Sequence, residues 1–316
     1  MGKCLVTKLN GAVDNNDLLH IGECVVGVES KSPKETLLSL DLGNFEYYCE
    51  QPHVLGEVNV DAGVKRKFEG WNDLKSSVAG LYRFHFLNKY SIKGLITRSS
   101  NNLNEVTQLN FLNNITQIVL YSDDSFDLDN LKQSTSLAYI SLKGNIVGDI
   151  SSLKNMTALT SLTVNSTQVT GDISSLKNMT ALVSFSGKCF INGKAEELKM
   201  LSKLTSFDCE NAVNKGDFGD IAVLPSEFKY LNIGGNASIS WSSRPSTSKI
   251  ISIFYSPKLS NIDKMLQDQA QCVTGITSST PEYMKSITAT GTRTSASDAA
   301  VQTLQSKGYT VSITPA

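Results

Sequence analysis

The stretch "GDISSLKNMTAL" occupies residues 148–159, and the same twelve letters return at residues 171–182, 23 positions later. Identity over that length marks an internal repeat, and the apolar residues around it show how far the repeat runs. Set on the frame LxxLxL, the chain reads Ile115/Ile118/Leu120, Leu137/Ile140/Leu142, Leu159/Leu162/Val164, Leu182/Phe185/Gly187, Leu204/Phe207/Cys209, Phe228/Leu231/Ile233 and Ile250/Ile253/Tyr255. The steps are 22, 22, 23, 22, 24 and 22 residues. After one longer step the frame returns at Ile287/Ala289, and "GYTVSI" supplies a last strand around Val311 and Ile313. Alternation within each strand turns Ile140 and Leu142 inward and Tyr139, Ser141 and Lys143 outward. One such coil buries too few aliphatic side chains to offset the ordering of its backbone, at about 1–2 kcal/mol per residue. Copies of one shape, stacked, bury both faces of every coil and pair their strands in parallel.

A period of this length with LxxLxL followed by an Asn-like position resembles the leucine-rich-repeat family, most clearly in "LAYISLKGNIVGDISSL" and "LTSLTVNSTQVTGDISSL". The resemblance implies an α/β solenoid with a parallel β-sheet on the concave face and short helices or turns on the convex face. In the family the Asn-like side chain bonds backbone groups inside the turn. Here that column reads Asp123, Asn145, Thr167, Phe190, Ala212, Asn236 and Lys258, and Phe190 and Ala212 lack the required groups. The stack is therefore expected to be irregular near 187–225, where Gly and Pro also punctuate the chain. "NIDKMLQDQAQC" has helical spacing of Ile262, Met265, Leu266 and Ala270, and a second helix is expected from about Ser297 to a stop at Gly308, leading into a capping strand.

The 316 residues are 40% hydrophobic and 19% charged with net charge −1, ordinary for a globular chain with a sizeable core. That balance points to no nucleic-acid partner. The start "MGKCLVTKLNG" lacks the apolar run of a signal peptide, Val6 breaks the myristoylation pattern, and no stretch is apolar enough for a membrane helix. Cys4, Cys24, Cys49, Cys189, Cys209 and Cys272 form no CxxC, which reads as free thiols rather than a zinc or redox site.

The phosphate-binding, zinc-protease and GxSxG motifs are absent, and no histidine follows His85, so the repeats hold no histidine-based triad. The reading is a non-enzyme with no cofactor and no metal. "YSDDSFDLDN" gathers four Asp but lacks the Gly and closing Glu of an EF-hand loop. Asp208 and Glu210, two apart on one strand, have the spacing to hold a cation or sugar hydroxyls; two solvated charges is the plainer alternative. What remains is the concave sheet, a mostly neutral field of Ser and Thr punctuated by aromatic rings. Its candidate binding residues are Tyr121, Tyr139, Lys143, Asn165, Asp208, Glu210, Tyr230, Asn232 and Phe254.

Residues 1–90 carry no 22-residue period. The runs "KCLVTKL", "ECVVGVE", "TLLSLDL", "FEYYC", "EVNV" and "LYRFHFL" predict a small all-β N-terminal domain, with residues 91–316 as the repeat domain and its helix-strand cap. "NKYSIKGLIT" forms the junction, with Ile96 standing 22 residues before Ile118. The opening "MGKCLVTKLNG…NNDLLHIGE" resembles the N-terminal segment of phage and prophage fibre or tail-appendage proteins of gut anaerobes. That resemblance implies a virion structural protein that joins other virion proteins through residues 1–90, forms a homo-oligomer, and carries outward a repeat domain that binds a protein or glycan receptor. The alternatives are a bacterial surface leucine-rich-repeat adhesin and an intracellular protein–protein interaction scaffold.

Overall fold

The computed structural model describes residues 115–316 apart from 167, 210–216, 235–236 and 255–256, with the side chains of 122–124 set aside; before residue 115 it describes the backbone of the strands named next. The chain divides into two compact units, Met1–Val147 and Gly148–Ala316.

In the first unit, β1 (Lys3–Leu5) pairs antiparallel with β2 (Leu18–His20). A second antiparallel set joins β3 (Cys24–Ser30), β4 (Thr36–Glu50), β5 (Arg66–Lys75), β6 (Gly80–Phe86) and β7 (Ile92–Thr97). "TLLSLDL" and "FEYYC" therefore belong to one strand, with a register shift between Leu42 and Phe45. The charged, Gly-containing "RKFEGWNDLK" is a strand that alternation alone does not reveal, and "EVNV" lies outside the described residues. The junction is β7, antiparallel to β4 on one edge and parallel to β8 (Gln117–Asp127) on the other. Leu95, not Ile96, stands opposite Ile118, so the first step is 23 residues rather than 22. Next, β8 pairs in parallel with β9 (Tyr139–Asp149), Ile118 opposite Ile140 and Leu120 opposite Leu142.

In the second unit each coil contributes to a first ladder: β10 (Ser161–Asn165), β12 (Ser184–Gly187), β14 (Ser206–Cys209), β16 (Tyr230–Asn232), β18 (Ser252–Phe254), β20 (Ser286–Thr290) and β21 (Thr310–Thr314). Leu162, Phe185, Phe207, Leu231 and Ile253 stand in register along it and are all buried. Phe185 and Phe207 stack with centroids 4.8 Å apart, so the repeat builds an aromatic column where aliphatics stand elsewhere. The fold is a leucine-rich-repeat solenoid.

The first ladder pairs Ser184–Gly187 with Ser206–Cys209 without a bulge, so the irregularity expected near 187–225, of which 210–216 lie outside the described residues, does not fall in it. It falls in a second ladder the frame did not announce. β11 (Gln168–Asp172) pairs with β13 (Phe190–Asn192), and β15 (Asp217–Asp220) pairs with β17 (Ser238–Ser240), which pairs with β19 (Lys258–Leu259), all in parallel; the register shifts between Asp217 and Asp220. Val169, Ile191, Phe218, Ile239 and Leu259 are its buried residues. Of the Asn-like column, Phe190 and Lys258 lie in strands of this second ladder instead of filling a turn, while Thr167, Ala212 and Asn236 lie outside the described residues. Phe190 is accordingly 39% exposed, and the turn hydroxyl in the coil of β10 comes from Ser166, whose Oγ accepts from Gln168 N at 3.3 Å.

The duplicated twelve residues have a local account. Gly148 and Gly171 turn the chain at φ 111° and 129°, a region that disfavours side chains. Asp149 and Asp172 then cap 3-10 turns, accepting from Ser151 N and Ser174 N at 2.8 Å. The Ile, Leu, Met and Leu that follow are buried in both copies. Where Pro225 interrupts the pattern, the buried guanidinium of Arg244 donates to the carbonyls of Ala222, Leu224 and Pro225 at 2.8–3.2 Å. Burial pulls that guanidinium down to about 10.

Helix α1 (Ile262–Gln271) takes the place in its coil that 3-10 turns hold in the coils of β10, β12 and β14, burying Ile262, Met265 and Leu266 as the spacing predicts, while Ala270 is only half-buried. Gln269 is buried too, and its amide group bonds both N and O of Ile251. Helix α2 (Asp298–Ser306) ends at Gly308, φ 89°, and leads into β21, which pairs along its length with β20.

Candidate functional site

The first-ladder strands fix where the outward side chains stand. In the second unit, Ser161, Ser184, Ser206, Tyr230 and Ser252 form one register column, and Thr163, Ser186, Asp208, Asn232 and Phe254 another. Side chains in one column therefore stand one strand spacing apart, about 4.8 Å. Ser184 Oγ donates to Ser161 Oγ at 3.2 Å, and Asn232 Nδ2 donates to Asp208 Oδ1 at 2.8 Å.

The face is not open along its whole length. Residues 282–285, a 3-10 turn just before β20, lie against its far end. The Tyr283 ring meets Tyr230 and Phe254 edge to face, with centroids 5.8 and 6.5 Å away, and Ser252 Oγ donates to the carbonyl of Met284. Tyr230 and Asn232 are each only 4% exposed, while Tyr283 is 49% exposed. Tyr230 and Asn232 thus sit on the outward side, as alternation requires, but as covered residues and not as surface. For Tyr230 the physical reason is the non-periodic segment that returns to the ladder over its ring, and Tyr283 replaces it as the accessible ring; Asn232 is tied to Asp208 and to Gly234 N.

The other candidates separate. Asn165 and Asp208 are half-buried on the uncovered part of the face, beside Ser161, Thr163, Ser184, Ser186 and Ser206. Phe254 is half-buried beside Tyr283, and Glu210 lies outside the described residues. In the first unit Tyr139 is 38% exposed, and Lys143 Nζ stands 4.8 Å over the Tyr121 ring, so those two meet each other.

The arrangement offers hydroxyl and amide groups at regular spacing on a backbone that paired strands hold rigid, with one carboxylate tied to a neighbouring amide. Among the described residues no group of three or more His, Cys, Asp or Glu side chains is placed to hold a metal ion, and no helix is long and apolar enough to cross a membrane. The face can hydrogen-bond and stack.

No protein-family model and no curated protein matches this chain. Among solved structures it is similar to internalin C2 of Listeria monocytogenes, at 19% identity over 60% of this chain and 72% of that one, with a TM-score of 0.36. It is also similar to internalin F of the same organism, at 17% identity over 73% of this chain and 85% of that one, with a TM-score of 0.37.

Proposed function

We propose that the chain is a non-enzymatic binding protein whose repeat domain holds a protein or glycan partner on the uncovered part of the first-ladder face. The observation that supports this most is the pair of register columns between β10 and β14, Ser161/Ser184/Ser206 and Thr163/Ser186/Asp208, bounded on one side by the Tyr283 turn. Ser and Thr let a partner approach the sheet closely, and an exposed ring at the boundary offers a stacking surface. The binding residues in this reading are Asn165 and Asp208 with Thr163, Ser186 and Tyr283, while Tyr121, Tyr139 and Lys143 serve the first unit's own surface.

Two settings suit such a module. Display as an adhesin on a bacterial surface needs only the repeats. A place on a phage or prophage appendage, with residues 1–90 joining virion proteins and driving homo-oligomer formation, is favoured by "MGKCLVTKLNG…NNDLLHIGE". Mass spectrometry separates them: the chain appears in purified virions in one case and among peptides shaved from intact cells in the other.

The binding reading itself is tested by screening the full chain against glycan and cell-surface protein arrays, then repeating with Thr163→Arg and Ser186→Arg. Binding lost in both variants, with thermal unfolding unchanged, supports it. Binding that survives both overturns the assignment to this face.

A further inference from the structure

Gly187 holds an inward position that Val164 fills in the preceding coil and Cys209 in the next. The space a side chain would take there belongs to Cys189. A Cβ built on Gly187 would lie 3.1 Å from Cys189 Sγ and 2.5 Å from the carbonyl oxygen of Val164. This small residue thus lets Cys189, two positions on, turn into the core against Cys209 of the neighbouring coil. The two sulfurs stand 3.8 Å apart, Cys209 Sγ also lies 3.3 Å from the Cys189 carbonyl oxygen, and both residues are fully buried. A disulfide needs the sulfurs at about 2.05 Å, a closure of less than 2 Å from where they stand.

We propose that Cys189 and Cys209 are a disulfide site that locks two adjacent coils of the stack under oxidising conditions. The thiolate of Cys189 attacks an external small-molecule disulfide, R–S–S–R, forming a mixed disulfide and releasing one R–S⁻. The thiolate of Cys209 then attacks the Cys189 sulfur, forming the protein disulfide and releasing the second R–S⁻. The two thiol protons end on the two leaving thiolates, and the external disulfide is the species reduced. Either sulfur of the pair can donate in the 3.8 Å contact, and the roles of the two thiols in these steps are interchangeable. With both thiols buried, exchange proceeds through local opening of the coils. Once formed, the bond fastens the middle of the solenoid, where a stack held only by nearest-neighbour contacts can otherwise part.

The test uses the full chain incubated with glutathione disulfide, quenched by alkylation and mapped without reduction by mass spectrometry. The expected product is a peptide pair joining Cys189 to Cys209, lighter by two hydrogens than the reduced pair. The thermal midpoint should rise by roughly 5–10 °C, and reductant should reverse both changes. Cys189→Ser and Cys209→Ser each lose the cross-link, and Cys272→Ser keeps it. Both thiols recovered alkylated after denaturation, glutathione adducts standing unresolved at either position, or pairing of either residue with a different cysteine would overturn the proposal.

Discussion

The rings of Tyr230 and Tyr283 meet edge to face, their planes 77° apart, across 53 residues of chain. This contact marks where the ladder face stops being open, and an edge-to-face pair contributes about 0.5–1.5 kcal/mol beyond the area it buries. Tyr283→Ala should therefore lower stability by about 1–2 kcal/mol and raise amide hydrogen exchange at Tyr230–Asn232. Tyr139→Ala, at an exposed ring, should stay within about 0.5 kcal/mol. Equal effects from the two would show that the turn does not cover the face.

Removing the caps tests the account of the duplicated sequence. Asp149→Ala and Asp172→Ala should each cost about 0.5–2 kcal/mol in denaturant unfolding, and the Asn substitutions far less. Lys194 stands at the same place in its coil without a side-chain cap, and its ammonium makes an exposed ion pair with Asp217 at 3.2 Å. Lys194→Ala should be nearly neutral by comparison. Aspartate-to-alanine losses no larger than that of Lys194→Ala would refute the capping role.

Much of this fold is legible in the frame, because burial follows strand alternation closely: Ile118, Leu142, Phe185, Leu231 and Ile287 are all inward. The second ladder escapes such a reading because each of its strands shows only one or two apolar residues, as in Val169 or Ile191, too few to establish a period. The covering of Tyr230 escapes for a different reason. It depends on a contact between distant parts of the chain, and the segment that makes it has no repeat to betray it. The staple by Arg244 is likewise non-local, since a lone Arg among Ser and Pro reads as solvated until its carbonyl partners are in place.

Glycine at residue 193 is a sharper test of close packing. Its φ is 119°, and an added Cβ would meet Ile173 Cγ2 at 2.1 Å. Gly193→Ala should destabilise by about 2 kcal/mol or more, through both backbone strain and overlap with a buried side chain. Gly275→Ala is the control, since its nearest neighbour is the flexible stem of Lys229 at 3.1 Å, and it should change the unfolding midpoint little. A tolerated Gly193→Ala would mean the coils are spaced more widely than described.

Acid titration probes the C-terminal cap. Asp263, in the first turn of α1, accepts from Ser297 Oγ and Thr294 Oγ1 at 2.6 Å, and these hydroxyls, Ser297 foremost, hold its pKa below the ordinary 3.8. A carboxyl depressed in the folded state favours folding above its unfolded pKa, and that contribution fades as pH falls through the lower folded value. Asp263→Asn should thus be less stable than the parent at pH 6, with the gap narrowing below about pH 3.8. A gap that stays constant down to pH 2 would rule out this titration.

The central claim is that the repeat domain is a stack of interchangeable coils, and deleting one coil tests it most directly. Removal of residues 160–182 joins Leu159 to Val183 and restores the frame one coil shorter. This variant should fold with an unchanged β-rich circular dichroism spectrum and a single cooperative transition at a modestly lower temperature, while deletion of residues 160–170, half a coil, should leave the unit unfolded or aggregated. If the two deletions prove equally damaging, or equally tolerated, the chain is not built of stacked equivalent coils.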